Sequence, residues 1–93
     1  MSTFFMFGRY TPASIEKISP ARTSKAKQIV ESHGGRIESG YALLGEDDLV
    51  LILELPDTDS AIKVSLALHR ETGVAFRTCP AVDVEAFDKL ASA

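Results

Sequence analysis

The segment Gly40–Pro56, which reads GYALLGEDDLVLILELP, constrains the fold of this chain more than any other stretch. Its second half, from Leu49 to Leu55, is apolar except for Glu54, and it lies between an acidic turn and a proline. A short apolar run between turn signals is typical of a strand that is buried on both faces. We therefore predict a hairpin that forms the centre of the core.

Length and composition indicate one small folded domain over residues 1–93. The chain is 45% hydrophobic and 25% charged, which is the balance of an ordinary globular protein. A core of this size is small, so help from a partner chain is expected. The 13 acidic and 10 basic residues are dispersed and give a net charge of -3, without the basic stripe that phosphate contacts require. We therefore predict no nucleic-acid partner.

Cysteine content and the N-terminal segment indicate the compartment. Cys79 is the only cysteine, so an internal disulfide and a paired-thiol metal or redox site are both excluded. The apolar start of the chain has no positive region before it and is interrupted by Arg9 and Tyr10, so it reads as a strand rather than a signal peptide. We predict a cytoplasmic protein without a membrane span, a bound metal or a cofactor.

Glycine and proline divide the chain into six main elements. Ser19 and Pro20 are typical of a helix start, and Gly34 with Gly35 is typical of its end. The predicted strands are 3–10, 36–44, 49–55 and 74–79. The predicted helices run from 20 to about 33 and from 57 or 58 to about 71. Pro80 separates the last strand from a helical turn near 84–90. With right-handed crossovers, this order specifies an α+β fold, a ferredoxin-like β-α-β-β-α-β sandwich with an antiparallel four-stranded sheet.

Helical periodicity identifies the buried face of each helix. The predicted inner stripes are Ala26, Ile29, Val30 and His33 on the first helix, and Ala61, Ile62, Val64, Ser65, Leu68 and His69 on the second. Two helices cover only one face of such a sheet, and a monomer should therefore alternate to polar residues on the other face.

The strands do not alternate in that way. One face of the third strand carries four leucines, and the other carries Val50, Ile52 and Glu54, while Phe5 and Phe7 join them from the first strand. We predict that these five residues form the interface of a homodimer or larger even oligomer, with two sheets docked as a dimeric α/β barrel. The alternative is that the C-terminal segment folds back over this face.

The stretch Leu44–Asp57 resembles the signature of the GYD domain family, in which a Gly-x-Tyr-Asp turn leads into an apolar strand and an acidic helix start. The similarity extends over nearly all of the chain and includes the opening strand that ends Arg9-Tyr10-Thr11, the helix end His33-Gly34-Gly35 and the strand that contains Tyr41. Gly45 and Asp48 match the motif, and Asp47 stands at its tyrosine position. The resemblance implies a ferredoxin-like fold and a dimeric α/β barrel, and it implies no general activity.

Five residues are candidate ligand contacts. The hydroxyls of Tyr10 and Tyr41 could anchor a small molecule at a largely apolar pocket, Arg9 and Arg77 could bind an anion, and His33 could act as an acid, a base or a hydrogen-bond partner. Other interpretations remain open, because the tyrosines could simply pack and the arginines could form an intersubunit ion pair with Glu54 that sets the register of a dimer.

Three further features have mainly structural interpretations. The consecutive carboxylates of Glu46, Asp47 and Asp48 offer the oxygen ligands that a hard cation such as calcium or magnesium binds. They lack the alternating spacing of a calcium-binding loop, so a solvated turn is the preferred interpretation. His69 is interpreted as a structural histidine. Cys79 is interpreted as a structural thiol, since no neighbouring histidine identifies a nucleophilic pair.

Two functional hypotheses follow. The leading one is a non-catalytic homo-oligomeric module that holds a small, partly apolar molecule in a cleft between the sheet and the helices. The alternative is a cofactor-independent enzyme of the oxygenase or isomerase type on the same dimeric barrel, which rests on analogy between folds. The enzyme hypothesis requires His33, Tyr41 or Arg77 to converge near a bound substrate.

Overall fold

Four antiparallel strands form one sheet in the order β2-β3-β1-β4, and two long helices pack on one of its faces. A computed structural model describes all residues, 1–93. The elements are β1 (Ser2–Arg9), α1 (Pro12–Ile15), α2 (Pro20–Ser32), β2 (Arg36–Ala42), β3 (Leu49–Leu55), α3 (Thr58–Thr72), β4 (Ala75–Ala81) and α4 (Val84–Ser92). The predicted order of strands and main helices is confirmed, and a short helix, α1, precedes α2.

The helix boundaries follow from the capping residues. Ser19 accepts a hydrogen bond from the backbone N–H of Arg22 at the start of α2 (3.1 Å), and Asp57 accepts one from Ser60 at the start of α3 (2.8 Å). Gly34 and Gly73 follow the two helices with φ angles of 80° and 73°, a left-handed conformation that glycine adopts without steric cost.

The core lies between the sheet and the two long helices. Its buried cluster consists of Phe4, Met6, Val30, Leu53, Leu55, Ala61, Val64 and Leu68. The prediction that Ile62 and His69 belong to the inner stripe of α3 is wrong, because both are exposed. His69 instead places its Nδ1 2.8 Å from the backbone oxygen of Val74, just beyond the end of its helix.

The opposite side of the sheet is called the open face. Its side chains alternate with the buried ones along each strand, and the strand register brings Phe5 opposite Ile52 and Cys79, and Phe7 opposite Val50 and Arg77. The open face comprises Thr3, Phe5, Phe7, Arg9, Arg36, Ser39, Tyr41, Val50, Ile52, Glu54, Ala75, Arg77, Cys79 and Ala81.

Two differences from the predicted boundaries concern β4 and α4. Pro80 does not end the strand but lies within it, opposite Phe4, because β4 is an edge strand that leaves one side of its backbone unpaired. The C-terminal helix α4 has no buried residue and leaves the open face uncovered. The alternative in which the C-terminal segment folds back over this face is therefore not observed within the chain.

Candidate functional site

A cleft of about 430 Å³ opens between α2 and the helix-side face of the sheet, and we call it the cleft. Ile18, Arg22 and Ala26 line it from the side of α2, while Leu51 and Phe76 line it from the sheet. Most of its lining residues are hydrophobic. This size and lining are those of a site for a small organic molecule.

The cleft exists because small residues face one another across it. Ala26 projects from α2, and Gly40 and Ala42 belong to the part of β2 that lies below. A Cβ atom at Gly40 would lie 3.0 Å from Cδ2 of Leu51, so the glycine also allows β2 and β3 to pack closely. Larger residues at these positions would reduce the space between α2 and the sheet.

Arg22 and Tyr10 form the polar side of the cleft. The half-buried Arg22 donates a hydrogen bond from Nη1 to the backbone oxygen of Ser14 (2.6 Å), and its guanidinium carbon lies 5.8 Å from the centre of the Tyr10 ring. A guanidinium group has five N–H donors. The interaction with Ser14 therefore leaves donors on Arg22 that a ligand can use.

The charged groups around the cleft favour an anion. Arg22 and Lys27 are its cationic lining residues, and Glu38 is its only acidic one. Arg36 donates a hydrogen bond from Nε to the carboxylate of Glu38, and this bond, with the attraction between the two charges, raises the pKa of Arg36. Glu38 is thus already paired, whereas neither Arg22 nor Lys27 has a carboxylate partner within the chain.

The structure separates the five predicted ligand residues. Tyr10 and Tyr41 border the cleft, although the register of Tyr41 opposite Val50 assigns its side chain to the open face. Arg9 and Arg77 border a second, shallower depression of about 370 Å³ on the open face. His33 lies at the end of α2, where its Nδ1 is 2.8 Å from the backbone oxygen of Ile29, and it lines neither cavity.

This arrangement does not provide the convergence that the enzyme hypothesis requires. Arg77 lies on the open face, where its Nη2 pairs with the carboxylate of Asp47 at 2.9 Å, and His33 lies at the end of a helix that packs on the opposite face. The ion pair of Arg77 is formed within the chain. Glu54 likewise has an internal partner, since it accepts a hydrogen bond from the hydroxyl of Thr3.

The acidic turn has structural partners. Asp48 accepts a hydrogen bond from the backbone N–H of Tyr10 (2.8 Å), and its own N–H donates to the backbone oxygen of Gly8 (2.8 Å). These bonds connect the β2–β3 hairpin to the end of β1. No three His, Cys, Asp or Glu side chains come together as potential metal ligands, and no helix has the length and apolarity needed to cross a bilayer.

Sequence reasoning did not identify the set that lines one side of the cleft, which consists of Ile18, just before α2, and of Arg22 and Ala26 on α2. Arg22 precedes Ala26 by four residues, so it extends the inner stripe of α2 toward the helix start. An arginine on the inner stripe was the signal that could have identified it.

The predicted interface residues lie together on the open face, but they are less exposed than expected. Val50 is only 8% exposed, with Phe7 and Tyr41 as its neighbours across the strands. Phe5, Phe7 and Ile52 are half-buried, and the rings of Phe5 and Phe7 have centroids 6.3 Å apart. The open face therefore carries a connected apolar surface that is partly covered by its own side chains.

Comparison with family models gives one match, to the GYD domain, over residues 4–91. No curated protein sequence matches the chain significantly.

Solved structures with a similar fold include three regulators. A crystal structure of a transcriptional regulator is similar with a TM-score of 0.69 at 17% identity, covering 90% of this chain and 52% of its own. The feast or famine regulatory protein of Mycobacterium tuberculosis, complexed with L-methionine, gives 0.67 at 15% identity, with coverages of 90% and 52%. The leucine response regulatory protein of the same organism gives 0.59 at 14%, with coverages of 89% and 51%.

The chain thus spans about half the length of these regulators. At such identities the similarity establishes the fold alone, which is the ferredoxin-like α+β fold predicted from the sequence.

Proposed function

Because this chain belongs to the GYD domain family, whose model matches residues 4–91, we propose that it is a non-catalytic homodimeric module that binds a small organic anion with an apolar body. The observation that carries this proposal is the cleft of about 430 Å³, where apolar walls meet the guanidinium of Arg22. Hydrogen bonds to a charged group are worth about 1.5–3 kcal/mol each. Arg22 would therefore select anions, and the walls would select an apolar body.

The ligand would lie with its apolar part over Leu51 and Phe76 and its anionic group near Arg22 and Lys27. Tyr10 supports this arrangement, since its ring lies against the guanidinium and limits the positions that Arg22 can adopt. Burial of apolar ligand surface would supply most of the free energy, and the charged contacts would fix the orientation.

The similar regulator that was solved with L-methionine supports small-molecule binding by a domain of this fold. With 13 acidic and 10 basic residues the chain has a net charge of -3, and it has no surplus of cations for phosphate contacts. We therefore propose a role without nucleic-acid binding. The single free thiol of Cys79 is consistent with a reducing, cytoplasmic environment.

Homodimerisation is proposed from the open face. Phe5, Phe7 and Ile52 retain exposed apolar surface on a side of the sheet that no helix covers. A second copy would cover this surface by sheet-to-sheet packing, as in a dimeric α/β barrel.

Ligand binding is tested with two probes that share a ring and differ in charge, phenylacetate and 2-phenylethylamine. Titration of ¹⁵N-labelled protein followed by amide chemical shifts should show phenylacetate binding at α2 and β2, with at least tenfold weaker binding of the amine. Arg22→Gln should weaken phenylacetate binding about tenfold, because it removes charged hydrogen bonds. Equal binding of the two probes would show that the charge argument is wrong.

Occupation of the cleft is tested by two matched variants of α2. Ala26→Phe places a ring in the cleft and should abolish phenylacetate binding, whereas Ala21→Phe adds the same ring at an exposed position of the same helix and should leave binding unchanged. Phenylacetate binding that survives Ala26→Phe in a folded protein would place the ligand elsewhere.

A further inference from the structure

Four exposed apolar side chains lie close together in sequence on α4 and just before it. Val84, Phe87 and Leu90 are 75%, 60% and 67% exposed, and Val82, just before the helix, is 58% exposed. Val84, Phe87 and Leu90 recur at spacings of three residues and form one stripe, while Glu85 and Lys89 lie on the other side of the helix. An amphipathic stripe of this kind requires a partner surface.

The helix is well defined at its start, yet it is too short to be stable alone. Asp83 accepts a hydrogen bond from the backbone N–H of Ala86 (2.7 Å), and Glu85 lies in the first turn, where a negative charge is favourable. Isolated helices shorter than about 12–15 residues are marginal in water. Because α4 has nine residues and none of them is buried, its stability must come from packing that its own chain does not provide.

We propose that α4 is an arm that packs on a second copy of this chain, beside the paired open faces. Its position supports this partner, because β4 ends at Ala81, opposite Thr3 at the margin of the open face, and only Val82 and Asp83 separate it from α4. The arm therefore begins where the proposed dimer interface ends. This inference rests on the proposed homodimer and assigns to it a second contact surface.

The open face alone is smaller than the surface that a stable dimer interface buries, so a second contact surface is needed. Four strands about 4.8 Å apart and seven residues long at about 3.4 Å per residue present a rectangle of roughly 450 Å². Stable interfaces bury about 800 Å² per partner. A nine-residue helix about 10 Å wide and 1.5 Å long per residue covers about 140 Å².

Each protomer both contributes one arm and receives one, so the exchange adds roughly 300 Å² per protomer to the sheet contact. The total then approaches the size of a standard interface. The sheet contact alone falls well short of it.

The first test measures dimerisation by analytical ultracentrifugation of the full chain over a range of concentrations. Phe87→Ser combined with Leu90→Ser should weaken the dimer at least tenfold, because it removes two apolar contacts from each arm. Lys89→Gln, on the polar side of the same helix, is the matched control and should change the dissociation constant less than twofold. An unchanged dissociation constant in the double variant overturns the proposal.

The second test measures hydrogen–deuterium exchange of the α4 amides above and below the dissociation constant. Protection that appears only in the dimer supports the arm, whereas protection independent of concentration would mean that α4 packs on its own chain and would overturn it. A dimer in which α4 stays unprotected overturns the arm and leaves the homodimer intact. A monomer at all concentrations overturns both, while cleft binding remains separately measurable with phenylacetate.

Discussion

Replacement of Phe7 by aspartate is the most direct perturbation of the proposed dimer. Phe7 lies in the middle of the open face, next to Phe5, and the guanidinium carbon of Arg77 is 4.8 Å from the centre of its ring. Within a monomer the new carboxylate would lie near Arg77, whose charge it would share with Asp47. We therefore expect Phe7→Asp to fold and to lose only part of the stability of the monomer.

The effect on the dimer follows from the remaining exposure of the ring. A phenylalanine buries about 150–250 Å² in total, so one that is already mostly buried keeps roughly 50 Å² for a partner to cover. At about 25 cal/mol per Å² this surface is worth about 1.2 kcal/mol. Two-fold symmetry places two such rings in each dimer, which gives about 2.5 kcal/mol, or a factor of roughly 60 in the dissociation constant.

A buried carboxylate adds its own desolvation cost to this loss. A charge removed from water costs several kcal/mol, which attraction to Arg77 offsets only in part, so the measured effect of Phe7→Asp should exceed a factor of 100. Phe7→Ala removes the ring without adding charge and should give the factor of about 60. The difference between the two variants then isolates the cost of the charge.

Sedimentation velocity at several concentrations measures both dissociation constants. Leu66→Asp is the matched control, since Leu66 is an exposed apolar residue on α3, away from the open face. It should leave association unchanged. If Phe7→Asp forms dimers as tight as those of the unmodified chain, the open face is not the interface.

Two further predictions concern stability. Asp57→Ala removes the acceptor that caps α3 through Ser60 and should lower Tm by several degrees, whereas Asp57→Asn keeps an acceptor and should lower it less. The hydrogen bond from the backbone N–H of Ser60 lowers the pKa of Asp57 below its ordinary 3.8. The stability that Asp57 adds to the folded chain is therefore complete above that pH and is lost as pH falls through the lower folded-state pKa. Thermal unfolding between pH 7 and pH 2 should show that the difference in Tm between the unmodified chain and Asp57→Ala closes in acid. At Gly35 an added Cβ would clash with the backbone oxygen of Glu54, so Gly35→Ala should destabilise the chain by about 1–3 kcal/mol in urea unfolding. At Gly40 the nearest contact of an added Cβ is the flexible end of a leucine, and a cost of Gly35→Ala no larger than that of Gly40→Ala would contradict the steric explanation.

The architecture was predictable because local signals agree with the packing. Capping residues and glycines mark both long helices, and the apolar run at Leu49–Leu55 is the central strand β3 in the sheet. The predicted end of the last strand before Pro80 is wrong, because a proline ends a central strand but is tolerated in an edge strand. Strand order, which distinguishes the two cases, depends on pairing between residues far apart in the sequence.

The cleft and the true exposure of the open face were less accessible to sequence reasoning. The cleft results from small residues on α2 and β2 that face each other, such as Ala26 and Gly40, and neither carries a chemical signal by itself. The burial of Val50 depends on its neighbours Phe7 and Tyr41 on two other strands. Alternation along one strand identifies a face, whereas shielding on that face requires the register of three strands.

The two edge strands also determine how molecules of this protein avoid uncontrolled association. β4 carries Pro80, which has no N–H to donate, and the pairing of β2 with β3 shifts register between Ile37 and Ser39. An interrupted edge is a poor template for another strand, because a continuous row of donors and acceptors is needed to extend a sheet. Growth into fibrils by addition of strands is thereby disfavoured at both edges. In the proposed dimer the partners approach through the face of the sheet, where contact closes after two copies.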